Sequence, residues 1–249
     1  MYCREVIYKE YTQKQGTKIP RERYLTYYRD FSRYYGLEFI ESSAFYGSQL
    51  DGVELMNPIM DKLAENHDLN QIRYCIFADW LEDFDSEYSA LGAYIIDKYH
   101  LNAKLFNVVD QGLLSIITAL KLAKLSHENV LMLSFDQTTI TQFKNISELR
   151  PDVSGAAALL LSISSPPDFF KILEAEIISD QKKFILDNFN LPKLKLIKIK
   201  GIGLMPFYKK MQELKKNSTS GYYVLLIQDV ESDSCGYVVI HKGEKDENI

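Results

Sequence analysis

The sequence predicts an α/β protein built around a sheet covered on both faces. From about residue 55, strand-like and helix-like segments alternate, and the strands are almost continuously apolar, as strands buried on two sides are. Length is the third observation: 249 residues fall between one domain and two, which suits one large unit or two compact halves sharing a core.

The first fifty residues are rich in tyrosine, with Tyr2, Tyr8, Tyr11, Tyr24, Tyr27, Tyr28, Tyr34, Tyr35 and Tyr46. A large ring with a polar tip suits an interface or a half-buried covering layer, and ordinary packing of an N-terminal cap fits as well. Pro20 followed by Arg21–Leu25 marks a helix start. Met56–Asn66 is amphipathic at helical spacing, Gln71–Asp79 reads as a buried strand, and Ser86–Tyr99 as a helix. Lys104–Val109 is a second strand, Gln111–Leu125 a strongly apolar helix, Val130–Phe135 a third strand and Gly155–Ser162 a fourth. Pro166-Pro167 breaks the chain, a natural hinge between halves. Beyond it, Lys193–Lys200 alternates lysine with apolar residues, the pattern of a half-exposed or edge strand. Phe207–Lys216 is a helix, Tyr222–Gln228 and Tyr237–His241 are strands joined by a hairpin-like return, and Glu244–Ile249 is a charged tail. The expected organisation is therefore a Tyr-rich segment at 1–54, a first half at 55–165 and a shorter second half at 166–249.

Composition excludes several classes. Apolar residues make up 46% and charged residues 25%, which is globular rather than disordered or fibrous. A net charge of −5 argues against a protein that grips nucleic acid phosphates. No apolar run approaches the roughly 20 residues needed to cross a bilayer, and no basic stretch leads into an apolar one at the start. Cys3, Cys75 and Cys235 are scattered and odd in number, which fits a reducing cytoplasm and rules out a disulfide scaffold or a cysteine-based zinc site. The expected setting is cytoplasmic, with no membrane or nucleic acid partner.

Familiar catalytic motifs are missing: there is no dinucleotide or P-loop glycine pattern, no HExxH and no GxSxG. His67, His100, His127 and His241 are far apart, three of them where helices or turns should end, so solvated positions are expected and no metal site or cofactor. The informative segment is Phe106–Ser115, where a buried strand turns sharply into a long apolar helix through Asp110, Gln111 and Gly112. Enzymes place nucleophiles at such turns, because free backbone N–H groups and the helix dipole stabilise a thiolate or oxyanion there. A carboxamide cannot attack a carbonyl, so covalent catalysis from position 111 is excluded. On local sequence alone, capping a core helix is the favoured role for Gln111, since strand-to-helix turns are common.

Several consecutive segments resemble the thiolase superfamily, specifically condensing enzymes of the β-ketoacyl-acyl-carrier-protein synthase III type. The matching pieces are Phe106–Asp110, Gln111-Gly112, Ser115–Ala123, Val130–Asp136 and Asp152–Leu161, with the Ile72–Asp79 strand and the Ser86–Tyr99 helix in the right order upstream. The resemblance covers roughly residues 55 to 165, and Tyr222–Gln228 with Gly236–His241 resemble the closing hairpin more loosely. It implies a layered α/β/α/β/α fold with a shortened second half. It also aligns the family's nucleophilic cysteine with Gln111, and puts Asp110, Gly112 and Gly155 in the pocket or oxyanion region. The family's His-Gln-Ala-Asn and Gly-Asn-Thr motifs are not found. Chain-length factors, partner subunits of type II polyketide systems, resemble ketosynthases but carry Gln in place of the cysteine.

What the resemblance implies is a non-catalytic subunit paired with an active ketosynthase, or with itself, in fatty acid or polyketide-type biosynthesis. Lys193, Lys195, Lys198 and Lys200 would be available to an acidic acyl carrier protein. Two roles are open to Gln111 at the helix start: its amide fills the nucleophile's cavity and bonds the oxyanion-hole donors, or it accompanies malonyl decarboxylation. The second is the alternative reading, a thioester-handling enzyme such as a malonyl-carrier decarboxylase using the degenerate pocket, which would lack placed histidines to stabilise an enolate. A self-associating protein with no link to acyl chemistry is the third option.

Overall fold

The computed structural model describes residues 1–12, 22–42, 50–79, 91–109, 111–138, 151, 153–164, 170–179, 189, 191–192, 194–201, 203–228 and 234–243. The Pro166-Pro167 break, the charged tail from Glu244, the Ser86–Ala90 start of the third expected helix, Asp110 and Lys193 lie outside them. Described strands are β1 (Tyr2–Tyr11), β2 (Tyr74–Ala78), β3 (Lys104–Val108), β4 (Val130–Asp136), β5 (Ser154–Ser162), β6 (Phe170–Ile178), β7 (Lys195–Ile199), β8 (Gly221–Gln228) and β9 (Cys235–Lys242). Helices are α1 (Glu22–Tyr35), α2 (Gly52–Asn66), α3 (Leu91–Lys98), α4 (Leu114–Ser126) and α5 (Met205–Asn217).

Among the described residues the strands run β3-β2-β4-β5-β1-β6-β9-β8-β7. The row divides at β1–β6, where the described ladder is short: Tyr2 pairs with Lys171, and Met1 beside it exchanges backbone hydrogen bonds with Ile172. Each half repeats one plan. In the first, β1 is antiparallel to β5, β5 antiparallel to β4, and β4 parallel to β2. In the second, β6 is antiparallel to β9, β9 antiparallel to β8, and β8 parallel to β7. The first half adds β3, parallel to β2, as a fifth strand; the described second half stops at four.

The two half-sheets enclose α4 and α5. One cluster joins the inner faces of both, with Ile76, Met132 and Leu159 on one side and Ile172, Leu225 and Val238 on the other. Between them lie Ile116, Ile117 and Leu120 of α4 and Phe207, Tyr208 and Met211 of α5. A helix caught between two sheets must be apolar nearly all round. Helix α4 satisfies this, with Leu114, Ser115, Ile116, Ile117, Ala119, Leu120 and Ala123 all buried. The outer face of the first half-sheet is covered by α2 and α3 through Leu55, Met56, Ile59, Leu63 and Ile95. Helix α2 opens with a capping box: Asp51 accepts from the Glu54 N–H at 2.7 Å, and Glu54 accepts from the Asp51 N–H at 3.2 Å. On the far face of the second half-sheet, Val224, Leu226 and Val239 are covered by Phe189, Leu191 and Leu194.

Two strands escape the sequence pattern. Tyr2–Tyr11, read as part of a covering segment, is β1 at the middle of the sheet, and Phe170–Ile178 is β6 beside it. Both carry a bulge, between Cys3 and Glu5 and between Ile172 and Glu174. The extra residue shifts the alternation by one and erases the period-2 signal. In α1 the Tyr27, Phe31, Tyr34 and Tyr35 rings pack in series along the helix, and Tyr34 and Tyr35 are exposed.

Leu120 in the central layer is buried and Leu125 on the same helix is 73% exposed. Leu120→Ala is expected to lower stability by about 2–5 kcal/mol, and Leu125→Ala to stay within about 0.5 kcal/mol of the parent. Urea unfolding monitored by circular dichroism checks both.

Candidate functional site

Strand β3 and helix α4 follow one another in the expected order, but β3 is an edge strand exposed at every position except Val108, not the buried strand that the sequence suggested. Gly112 has φ +53°, a left-handed conformation that glycine adopts without a Cβ penalty. The Leu114 N–H donates to Gln111 O at 3.0 Å and the Ser115 N–H to Gly112 O at 3.2 Å. Leu113, the N-cap, supplies no side-chain acceptor. Gln111 is exposed, and its Oε1 accepts from the Thr118 hydroxyl at 2.6 Å. The carboxamide is thus tied down along the outside of α4 rather than filling a nucleophile's cavity.

No thiol takes over the role. Cys3, Cys75 and Cys235 are free and fully buried. Burial pushes the Cys3 and Cys75 thiols up to about 12, so neither furnishes a thiolate near neutral pH. The histidines are dispersed. His127 ends α4 with φ 52°, at the far end from Gln111, roughly 20 Å along the axis. His100 follows α3 in the same left-handed conformation, and both are exposed. His67 caps the C-terminus of α2 and is less solvated than expected, with its side chain 22% exposed beside Glu5. His241 on β9 stacks on Tyr222 at 4.4 Å. It lies five residues, roughly 16 Å of strand, from Gly236, which abuts Leu114 and Ile117 of α4. Among the described residues no group of three or more His, Cys, Asp or Glu side chains could hold a metal ion.

A buried polar cluster at the start of α5 was not anticipated. Asp136, the last residue of β4, is buried and accepts from the N–H groups of Leu204 at 2.6 Å and Met205 at 2.9 Å through Oδ2. Its Oδ1 has no hydrogen-bond partner among the described residues. Gly203 has φ +94°, and a Cβ there would meet Asp136 Oδ2 at 2.6 Å, so glycine is required on both counts. Next to it, the Ser134 hydroxyl donates to Ala78 O at 2.5 Å and lies 2.7 Å from the Tyr208 hydroxyl, which burial holds above its usual range. Gly155 belongs here as well: it pairs with Asp136 across the sheet, and a Cβ would meet Met205 Cγ at 2.6 Å. The structure therefore places Gly155 under the first turn of α5. The signal available in the sequence was an aspartate ending an otherwise apolar strand, with a Gly-Leu-Met-Pro helix start further on.

The basic stripe occupies the edge strand β7. Lys195 donates to Thr219 Oγ1 at 3.1 Å and lies over the Tyr223 ring, whereas Lys198 and Lys200 are exposed.

No protein-family model and no curated protein matches the sequence. Solved structures do match. A variant of OleA from Xanthomonas campestris is 11% identical with a TM-score of 0.63, over 96% of this chain and 98% of that one. AbyA1, a tetronic acid condensing enzyme, is 8% identical with a TM-score of 0.65, over 96% and 99%. The fungal type III polyketide synthase ORAS is 10% identical with a TM-score of 0.60, over 97% and 99%. The chain has the thiolase-like fold of these condensing enzymes.

Burial raises the Asp136 carboxyl to about 7, although the two N–H donors pull it down. Between pH 4 and 7 the folded chain retains a proton that the unfolded chain has released, so this group's contribution to stability falls as pH rises through that interval. Asp136→Asn keeps an acceptor for α5 and cannot ionise. Its unfolding free energy is expected to fall less than the parent's, by a few kcal/mol, between pH 4 and 7, as measured by urea titrations across that range.

Proposed function

We propose that the chain is a non-catalytic, ketosynthase-like subunit that pairs with an active condensing enzyme in fatty acid or polyketide-type biosynthesis. Gln111 carries the reading. It stands at the head of α4, where the resemblance aligns the nucleophilic cysteine, and its side chain turns outward to Thr118. The thiols and imidazoles of the chain lie elsewhere. A thiolase-like scaffold that keeps the turn and lacks its reactive groups serves a complex rather than a reaction.

Support for pairing comes from β3. It is the edge strand immediately before the Gln111 turn, and Leu105 and Phe106 are 39% and 45% exposed. An open edge with apolar side chains is a template for another strand. A condensing enzyme joined there would bring its own catalytic helix next to α4. The lysines of β7, together with Lys193, would meet an acidic acyl carrier protein on the opposite edge.

Affinity purification from the native host, with mass spectrometry of co-purifying chains, tests the reading. A condensing enzyme is expected in near-equal amount, and the double substitution Leu105→Asp and Phe106→Asp is expected to lower its recovery at least tenfold. A monomer that captures no condensing enzyme, or loss of carboxylate from a malonyl carrier protein incubated with the chain alone, overturns it. Gln111→Cys restores a thiol without an imidazole to activate it, so no condensation product is expected in an assay with acyl and malonyl carrier proteins.

A further inference from the structure

The two bulges and the two central helices are tied to each other crosswise. By chain order α4 belongs to the first half, between β3 and β4, and α5 to the second, between β7 and β8. Lys124 is the eleventh residue of α4 and Lys215 the eleventh of α5. The Lys124 ammonium donates to Leu173 O in β6, the opening strand of the second half. The Lys215 ammonium donates to Arg4 O in β1, the opening strand of the first. Leu173 and Arg4 are the bulged residues of their strands, lying between Ile172 and Glu174 and between Cys3 and Glu5. Each helix therefore holds the same point of the opposite half. A turn nearer the helix start the crossing is repeated. Lys121, eighth in α4, donates to Glu176 Oε2 of β6 at 2.6 Å, and Gln212, eighth in α5, donates to Val6 O of β1 at 3.0 Å.

A lysine in the last turn of a helix ordinarily complements the negative end of the macrodipole. In α5 that role falls to Lys242 of β9, which donates to Leu214 O at 3.0 Å and Lys215 O at 2.7 Å. Lys124 and Lys215 instead reach out of their own helices. Both are half-buried, where a charge-assisted hydrogen bond is stronger than a neutral one. A bulge leaves one residue unpaired with the neighbouring strand, so its carbonyl can be taken by a donor from elsewhere. Asp136 holds the start of α5, and Lys215 acts roughly 15 Å further along the same helix. We infer that Lys124 and Lys215 form a reciprocal clasp, in which the central helix of each half fastens the bulged opening strand of the other. The clasp is independent of the subunit reading, since neither lysine lies at the Gln111 turn or on an edge strand.

Native-state amide hydrogen exchange on the full chain tests this. Lys124→Met keeps the apolar stem and removes the donor. It is expected to speed exchange about tenfold over Ile172–Ala175 of β6, while Cys3–Val6 of β1 stays within about twofold of the parent. Lys215→Met is expected to do the reverse, loosening β1 and sparing β6. In the unmodified protein, nitrogen-correlated spectra at low temperature should show the ammonium protons of Lys124 and Lys215, held back from exchange with water by their carbonyl acceptors. Exposed Lys216 serves as the fast-exchanging reference. Acceleration confined to the last turn of the substituted helix, an equal change in both opening strands, or Lys124 and Lys215 ammonium protons that exchange as fast as those of Lys216 overturns the inference.

Discussion

The contact on which the two halves depend is the Asp136 carboxylate seated on the first turn of α5. A buried helix start leaves N–H groups that need acceptors, and Leu204 at the N-cap of α5 has none to offer. The acceptor comes from β4, the fully buried strand of the other half. That choice dictates its neighbours: Gly203 makes room for the carboxylate, Gly155 makes room for Met205, and Tyr208 reaches Ser134 one turn along. With only a short ladder of Met1–Tyr2 against Lys171–Ile172 joining the half-sheets directly among the described residues, this polar link and the apolar central layer together fix how the halves stack.

The repeat gives α4 and α5 equivalent places, and their starts have been put to opposite uses. The start of α5 is closed by a carboxylate drawn from within the protein. At α4, Leu113 lacks a side-chain acceptor and Gln111 lies on the exterior. In a fold shared with condensing enzymes, the start of α4 thus carries an exposed carboxamide where the start of α5 carries a buried carboxylate. A carboxamide costs little there, because it is solvated and bonded to Thr118.

What the sequence made legible follows from periodicity. The parallel strands β2 and β4 were plain because burial on both faces makes them nearly continuous apolar runs, and α4 was plain because its buried positions run nearly all round the helix. Strands β1 and β6 were hidden by their bulges, which set Cys3 and Val6, or Ile172 and Ala175, out of phase. The Gln111 turn was visible because its residues are contiguous. The Asp136 site was not, since its donors lie 68 and 69 residues further along the chain and only the stacking of two half-sheets brings them together. Arg4 was obscured for the same reason as β1, being the residue that the bulge displaces.

The two ends of the sheet complete the argument, because they solve the edge problem differently. At β7, Lys195 and Lys198, with Lys200 just beyond the strand, repel a second copy of the same strand, the usual defence of an exposed edge. At β3 there is only Lys104, and the apolar residues on both sides of the strand stay in partial contact with water: Leu105 lies against Gly92 of α3, and Phe106 lies beside Tyr74. An edge left so plain is a liability in a chain that stays alone and an asset in one that is covered. Under the proposed subunit reading, the plain edge on the side of Gln111 is the one that takes a strand partner. The lysines would exclude a second strand at the far edge while remaining open to an acidic surface.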